Sequence, residues 1–475
     1  MRMFLTLLFS VVLWACSSQA PVRFKPMRDF QRPSFETFQL SNGLQVFFKE
    51  DPELPLVNAA FYFRGGEIYD SPSSVGLAGA MGSLMREGGA GTLSAAQLDA
   101  ILEENAISIS SQLSDENGVV SVRSLSSDFE LALKLFADVL IRPRFEESRL
   151  NLVRKQSAEA IRRRKDDSVT VANISFDQLI YGDSVYGKQL EEKDLGRLSV
   201  SALRREHAMF VTPHGNVLTV SGAITKARLL PLLEEYIGNW KADSQPALAV
   251  PELKFHPTPG VYFVPLPVNQ TTVLMGEQGI RRFSPDASAI EVFNRVISGG
   301  FGSRLTSEIR TNRGLAYQVE GGISPYVVAG MNYIFFQSKS ASVADGINAA
   351  ADIVSSLKAK GVTDEELSMA KDAIESSYVF KFDRASDVVN RQAVLRMLNY
   401  PSDYDAHYLR NLRAVDLVAV NQVAMRYFDL SKFVIVVVGD EAAYNQLLEA
   451  RSRRDSMLGA LPLVRVSFDQ VLRLR

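Results

Sequence analysis

Asn216-Val217-Leu218-Thr219-Val220-Ser221-Gly222 is a run of mostly β-branched and apolar residues that ends in glycine, and Phe433-Val434-Ile435-Val436-Val437-Val438-Gly439 is a second such run. Such a run is typical of a buried strand. A segment with helical periodicity precedes each run, at 200–210 and at 416–427. The same helix–strand unit therefore occurs twice in the chain.

Two long amphipathic segments support this repeat. One, 146–165, precedes Asp166-Asp167, and the other, 364–381, precedes Asp383. The separation of Asp167 from Asp383 almost equals that of Gly222 from Gly439, so the two halves keep their register. A repeat this long predicts duplicated domains and not a solenoid of short units.

Each half begins with predicted strands. In the first half Asn42-Gly43 lies between two apolar runs, which is a strong signal for a β-hairpin. The strands are predicted at 35–40, 44–49 and 57–63 in the first half and at 260–265 and 271–276 in the second. Strands, hairpins and helices mixed in this way predict an α+β fold in which each half has a mostly antiparallel sheet packed with helices.

Prolines crowd the segment 244–259, where the periodicity lapses, so we expect a linker there. The N-terminal domain is predicted at 35–243 and the C-terminal domain at 260–475. The last residues, 461–475, show no pattern that predicts a structure.

The N-terminus has the pattern of an exported lipoprotein. Residues 1–15 have a short basic start and an apolar run too short to span a bilayer, which predicts a signal peptide. Cys16 is the only cysteine and follows a small residue, as in a bacterial lipobox, so we expect lipidation there. Residues 16–34 would form an extended tether. Ser17, by resemblance to Gram-negative lipoproteins, favours the outer membrane, at its periplasmic face or at the cell surface.

Charge and composition exclude some partners. The chain has 52 Lys and Arg against 54 Asp and Glu, so its charge balance offers no case for binding nucleic acid. None of the 4 histidines is paired with another at the i,i+4 spacing of a helical metal site. We therefore expect no metal and no other cofactor.

The stretch Gly76-Leu77-Ala78-Gly79-Ala80-Met81-Gly82-Ser83-Leu84-Met85 resembles the metal-binding helix of the insulinase/pitrilysin peptidases. That family has Gly-Leu-Ala-His-Phe-Leu-Glu-His-Met here, the inverted H-x-x-E-H arrangement. The resemblance implies two homologous domains that face each other as a clamshell. It places the two histidine ligands at Gly79 and Ser83, the catalytic glutamate at Gly82, and the remaining glutamate ligand at Ala160. We call these the four emptied positions.

The second half keeps more of the family's pattern. The run from Gly299 to Leu305, followed by Arg310 and Tyr317, resembles a segment whose arginine and tyrosine contact the substrate across the clamshell. An arginine offers a planar fork of donors, and a tyrosine hydroxyl can donate to an oxyanion. The alternative is a surface arginine paired with Glu308 or Glu320 and a tyrosine in the core.

The sequence predicts a hairpin, 107–113 and 119–125, in the first half around Asp115-Glu116-Asn117-Gly118. In the resembled family a strand here forms the sheet edge that faces the chamber, where substrates add by β-augmentation. An ordinary internal hairpin is the alternative.

The resemblance implies two hypotheses about function. The first is a catalytically incompetent subunit that pairs with a zinc-bearing homologue and supplies Arg310 and Tyr317 for peptide hydrolysis in the cell envelope. The second is a structural or peptide-binding envelope lipoprotein with no part in proteolysis. The first accounts for the retained arginine and tyrosine, which a scaffold does not need.

Overall fold

The structure is a computed structural model, and it describes residues 30–241, 249–453 and 457–473. The predicted signal peptide (1–15), Cys16 and most of the predicted tether (16–34) lie outside the described residues, as does part of the predicted linker. Within the described ranges, no helix is both long enough and apolar enough to cross a membrane.

The first half forms a mixed six-stranded sheet. Its strands are β1 (Glu36–Gln39), β2 (Gln45–Glu50), β3 (Leu56–Arg64), β4 (Ser108–Leu113), β5 (Asn117–Leu125) and β6 (Val217–Gly222). They lie in the order β1-β2-β6-β3-β5-β4, and only β2 and β6 are parallel. The predicted hairpin joins β1 to β2, and its Gly43 has a φ of 83°, a left-handed conformation that costs glycine little.

The second half forms a second six-stranded sheet. Its strands are β7 (Gly260–Pro265), β8 (Thr271–Gln278), β9 (Ala316–Ser324), β10 (Met331–Ser338), β11 (Val434–Gly439) and β12 (Leu463–Arg465). The order is β12-β7-β11-β8-β10-β9, in which β7 is parallel to both its neighbours and the other pairs are antiparallel. The prediction of an α+β fold with two mostly antiparallel sheets is confirmed.

Helices follow the strands in both halves. The helices of the first half are α1 (Leu77–Glu87), α2 (Ala95–Glu104), α3 (Phe129–Ile141), α4 (Glu147–Arg163), α5 (Ser168–Tyr181), α6 (Val200–Phe210) and α7 (Lys226–Leu233). Those of the second half are α8 (Ala287–Ser298), α9 (Val343–Lys360), α10 (Asp364–Tyr378), α11 (Ala385–Met397), α12 (Tyr404–Ala414), α13 (Leu417–Tyr427), α14 (Glu441–Ser452), α15 (Met457–Ala460) and α16 (Phe468–Val471).

The strand orders of the two sheets correspond except at one edge. Strand β2 corresponds to β7, β6 to β11, β3 to β8, β5 to β10 and β4 to β9 in the two spatial orders. The remaining edge is β1 in the first sheet and β12 in the second. The segment 461–475, for which the sequence predicted no structure, therefore contains a strand, β12, that completes the second sheet by pairing with β7.

One helix of each half packs on the sheet of the other half. Helix α5 packs against β8 and β11 of the second sheet, and α11 packs against β2, β3 and β6 of the first. The first residues of these helices, Ser168 and Ala385, have the same separation as Gly222 and Gly439, so the exchange follows the repeat.

This exchange explains why the second repeated run, 433–439, has no polar side chain. On β11, Ile435 and Val437 belong to the core of their own half, whereas Val434, Val436 and Val438 pack with residues of α5. Successive side chains of a strand point to opposite faces of its sheet. Because helices cover both faces, both sets of side chains are buried, and the strand reads as a continuous apolar run.

A candidate functional site between the two halves

Helix α1 carries three of the four emptied positions. Gly79 and Ser83 line a cavity of about 810 Å³ between the two halves, together with residues of β8, β9 and β10. The Ser83 hydroxyl donates to the carbonyl of Gly79 at 3.4 Å, so its hydrogen bond stays within helix α1. This face of α1 presents a hydroxyl and two glycines to its surroundings, with no imidazole or carboxylate of its own.

Neighbouring groups of the protein occupy the space that larger side chains at Gly79 and Gly82 would need. A Cβ atom at Gly79 would lie 2.8 Å from Oε1 of Glu67, and one at Gly82 would lie 2.7 Å from Cβ and 2.9 Å from the backbone nitrogen of Leu113. Gly82 is therefore buried where α1 packs directly on β4. The emptied helix is a packed surface, in which glycine at 82 permits close contact with a strand.

The fourth emptied position lies on α4. Val153, Ser157 and Arg164 line the cavity, and Ala160 lies on the same helical face by its spacing, although it is exposed. Its neighbour Glu159 forms an ion pair with Arg163 at 2.6 Å on another face. No cluster of three or more His, Cys, Asp or Glu side chains suited to a metal ion occurs among the residues that the structure describes. The residues present do not fit the zinc ion that the resemblance associates with this helix.

The cavity contains three carboxylates from the first half. Burial raises the pKa of Glu67, and the nearby Asp115 raises it further. Burial likewise raises the pKa of Asp115, with the Glu116 carboxylate beside it. Burial raises the pKa of Asp177 to about 7, with a smaller contribution from Asp115. The cavity is therefore acidic, and part of its charge is titratable near neutral pH.

Two cations also lie in the cavity wall, and both are engaged with backbone oxygens. Arg164 donates to the carbonyl of Leu190 at 2.7 Å, and Lys188 donates to the carbonyl of Asp70 at 2.6 Å. Burial lowers the pKa of each, although a neighbouring carboxylate opposes the shift.

A turn between a helical segment and a strand brings Arg310 and Tyr317 together. Arg310 lies on a π-helical segment, Thr306–Asn312, and Tyr317 is the second residue of β9. Gly314, with a φ of 61°, turns the chain between them. The Arg310 guanidinium lies 4.7 Å from the centre of the Tyr317 ring and 5.5 Å from that of Phe301. These three side chains form what we call the arginine stack.

The two aromatic rings of the arginine stack are exposed to solvent, and Arg310 is half-buried. Tyr317 is 77% exposed and Phe301 is 80% exposed. The alternative of a core tyrosine is therefore not what the structure has, and Glu308 pairs with Arg313 at 2.6 Å. Arg310 and Tyr317 line a smaller recess of about 210 Å³, and Gln318 lines both this recess and the large cavity. The stack and the emptied helix thus belong to neighbouring spaces.

The predicted hairpin of 107–113 and 119–125 forms β4 and β5, and β4 is the free edge of the first sheet. The turn between them contains a contact that sequence reasoning missed. Glu116 forms an ion pair with Arg282 of the second half at 2.7 Å, with side chains only 10% and 15% exposed. It also accepts hydrogen bonds from the Val327 amide at 2.7 Å and the Tyr186 hydroxyl at 2.9 Å. The Glu116 carboxylate therefore fastens the two halves beside the cavity.

Comparisons with known proteins agree with this geometry. Residues 45–181 match the insulinase family (peptidase family M16), and residues 197–374 match the peptidase M16 inactive domain. A protein of Helicobacter pylori described as the non-peptidase homolog YmxG is 22% identical over 402 residues, 83% of this chain and 92% of that protein. An uncharacterized zinc protease of Mycobacterium tuberculosis is 25% identical over 328 residues, 68% of this chain and 74% of that one.

Solved structures show the same fold. A peptidase M16 inactive domain from Pseudomonas fluorescens has a TM-score of 0.77 at 23% identity and covers 86% of this chain and 98% of its own. The periplasmic protease PqqL of Escherichia coli has a TM-score of 0.72 at 16% identity and covers 91% of this chain and 50% of its own.

The fold and the site define a two-domain, peptidase-like protein whose metal-binding helix has no metal ligands. The chain belongs to the insulinase family, peptidase family M16. Within that family it is an inactive homologue, because the four emptied positions hold Gly79, Gly82, Ser83 and Ala160.

Proposed function

We propose that this chain is the non-catalytic subunit of a peptidase in the cell envelope, and that it pairs with a zinc-bearing member of the same family. The observation that carries the proposal is an asymmetry between the halves. The four emptied positions offer no ligand or base, whereas Arg310 and Tyr317 are retained and adjacent, and Tyr317 is open to solvent. A chain with no part in peptide binding would have no use for this pair.

The arginine stack suits a peptide. A guanidinium can donate two parallel hydrogen bonds to a carbonyl or carboxylate, and a tyrosine hydroxyl can donate to an oxygen that gains negative charge. Phe301 and Tyr317 flank the guanidinium and hold it at one place, and no acidic side chain in the described part of the chain pairs with it. In this proposal the partner provides the metal and the attacking water, and this chain binds and orients the peptide.

The envelope location rests on the N-terminal sequence. Lipidation at Cys16 would anchor the mature chain through more than one acyl chain, as stable anchoring requires. We propose the outer membrane as the site of attachment. The tether residues 16–34 would separate the anchor from the fold.

The test uses the purified mature chain, alone and mixed with a zinc-bearing relative from the same organism. Zinc content and hydrolysis of fluorogenic peptides are measured in each sample. We expect no zinc and no hydrolysis for the chain alone, and hydrolysis in the mixture above that of the relative. Stoichiometric zinc or hydrolysis by the lone chain would refute the proposal.

Two variants and one control test whether Arg310 and Tyr317 contribute to hydrolysis by the mixture. Removal of one donor to an oxyanion typically lowers kcat by about 100-fold to 1000-fold, so Arg310→Ala and Tyr317→Phe should each abolish most of the activity of the mixture. Arg313→Ala is the matched control, because Arg313 is close in sequence and pairs with Glu308 outside the arginine stack. If the mixture is inactive with the intact chain, the structural or peptide-binding envelope protein becomes the better explanation.

A further inference from the structure

A second, smaller recess lies between the loop that precedes α1 and helix α6, and its volume is about 270 Å³. Val75 and Leu198 line both this recess and the large cavity, so the two spaces share a wall. The four emptied positions and the arginine stack do not line it. Pockets for drug-sized molecules are usually about 300–1,000 Å³, so this one has room for a smaller molecule. We call it the side recess.

Two opposite charges line the side recess without pairing with each other. Glu206, on α6, is 8% exposed, and in the described part of the chain no hydrogen bond or ion pair reaches its carboxylate. Its neighbour Arg205 is exposed, and its guanidinium has no hydrogen bond or ion pair within the described ranges either. Both charges are therefore available to a molecule in the recess.

The Glu206 carboxylate is unfavourably placed in the chain alone. Burying a charge without a partner is costly, and burial raises the pKa of Glu206, although the charge of Arg205 opposes the shift. A ligand that places its own positive charge against Glu206 would remove this cost.

The loop before α1 supplies hydroxyl groups and is held by hydrogen bonds. The Asp70 carboxylate accepts a hydrogen bond from the Gly76 amide at 3.0 Å, which joins the two ends of the loop. The Ser71 hydroxyl lies 2.8 Å from that of Ser73 and 3.0 Å from that of Ser74. Since Ser73 and Ser74 line the side recess, their hydroxyls are positioned beside it before any ligand binds.

The rest of the wall is partly polar and partly apolar. Arg197 donates to the carbonyl of Pro72 at 3.2 Å and pairs with Asp194 at 2.9 Å, so its charge is already partnered. Leu77 and Leu198 provide apolar surface. The side recess thus combines one buried carboxylate, one unpaired guanidinium, hydroxyl groups and an apolar wall.

This combination favours a zwitterion over a simple ion. The buried Glu206 would repel an inorganic anion at Arg205, and Arg205 would oppose a metal cation at Glu206. No group of three or more side chains suited to a metal ion occurs among the described residues. An α-amino acid has its ammonium and carboxylate groups on the same carbon atom, so it can satisfy two opposite charges in a small space.

We propose that the side recess binds a free α-amino acid with an apolar side chain. Its ammonium group lies against Glu206, and its carboxylate accepts hydrogen bonds from Arg205 and from the hydroxyls of Ser73 and Ser74. Its side chain packs on the apolar wall. This site needs neither a metal nor a partner subunit, so it goes beyond the proposed function.

The test is calorimetric binding at pH 8 to the full mature chain alone. The probes are L-leucine, N-acetyl-L-leucine, which lacks the ammonium charge, and L-leucinamide, which lacks the carboxylate. We expect each of the two derivatives to bind at least about tenfold more weakly than leucine, because each loses one charge-assisted contact. No binding of leucine, or equal binding of the three probes, would overturn the proposal.

Variants then place the site. Glu206→Gln and Arg205→Gln should each weaken leucine binding by at least about tenfold. Arg205 is exposed, so its replacement should leave the fold intact and keeps the test decisive if Glu206→Gln does not fold. Arg204→Gln is the matched control, because Arg204 is exposed on the same helix and does not line the side recess. Leucine binding that is unchanged in Arg205→Gln, or is lost equally in Arg204→Gln, would also overturn the proposal.

This result is independent of the shared peptidase site, because the lone chain is tested without a zinc-bearing relative. Hydrolysis by the mixture without leucine binding would retain the proposed function and reject the amino-acid site. Leucine binding without hydrolysis by the mixture would do the reverse.

Discussion

Two glycines on α1 should respond in opposite ways to the same substitution. Gly79→Ala and Gly82→Ala each replace a glycine within the helix, and each should gain about 1 kcal/mol of helix propensity. The surroundings of the added methyl group differ. At Gly79 it meets only Oε1 of Glu67, the end of a flexible side chain that can rotate into the cavity.

At Gly82 the methyl group meets a strand. The added carbon would lie 2.9 Å from the backbone nitrogen and 2.7 Å from Cβ of Leu113, neither of which can rotate away. Overpacking of this kind costs about 1–3 kcal/mol, and since a backbone must shift we take the upper part of that range. We therefore expect Gly79→Ala to raise the free energy of unfolding by up to about 1 kcal/mol and Gly82→Ala to lower it by about 1–2 kcal/mol.

The assay is urea unfolding of the wild type and both variants, followed by circular dichroism and by tryptophan fluorescence. Agreement of the two signals checks that one transition is being compared. If Gly82→Ala is as stable as Gly79→Ala, then α1 is not packed on β4 as described, and the emptied site is an open space.

Three further predictions follow from the same contacts. The combined variant Gly79→His, Gly82→Glu, Ser83→His and Ala160→Glu should hold well under one zinc per molecule by atomic emission, because a side chain at 82 would push α1 away from β4 and displace the two histidine ligands with it. Stoichiometric zinc would contradict this. Burial raises the pKa of Asp177 to about 7 and that of Asp70 to about 8, so the folded chain holds these protons more tightly than the unfolded chain. Stability should therefore fall as the pH rises from about 5 to 8.5, and urea unfolding of Asp177→Asn should show a smaller fall. Finally, Glu116→Gln should lower the free energy of unfolding in urea by about 3 kcal/mol, because it leaves the buried Arg282 unpaired. Glu308→Gln, at a more exposed ion pair, should lower it by less than about 1 kcal/mol. Equal losses would show that Glu116 does not hold the two halves together.

Local elements were well predicted where short-range physics decides them. Helix 200–210 is found as Val200–Phe210, and its Ser199 accepts a hydrogen bond from the Ala202 amide as a cap. The long helix predicted at 146–165 is α4 followed by a short 3-10 turn, Arg164–Asp166. Capping residues, apolar periodicity and turn glycines all depend on residues that are close together in the sequence.

Contacts between distant parts of the chain could not be predicted in this way. The pairing of Glu116 with Arg282 joins two surface-like residues in different halves, and neither has a distinctive neighbourhood in the sequence. The large cavity likewise brings together Asp177, Tyr186 and Tyr326 from separate segments. The tyrosines look like ordinary core residues until the cavity beside them is known.

The amino-acid sequence alone determined the duplication, the two mostly antiparallel sheets, the loss of the metal ligands and the retention of Arg310 and Tyr317, because each of these is a local pattern or a residue identity. Only the tertiary structure decided that α5 and α11 are exchanged between the halves, that β12 closes the second sheet, and that α1 rests on β4 through Gly82. An apolar helix face or a three-residue strand can be buried against several partners with similar gain. Which partner it takes depends on the shape of the whole chain.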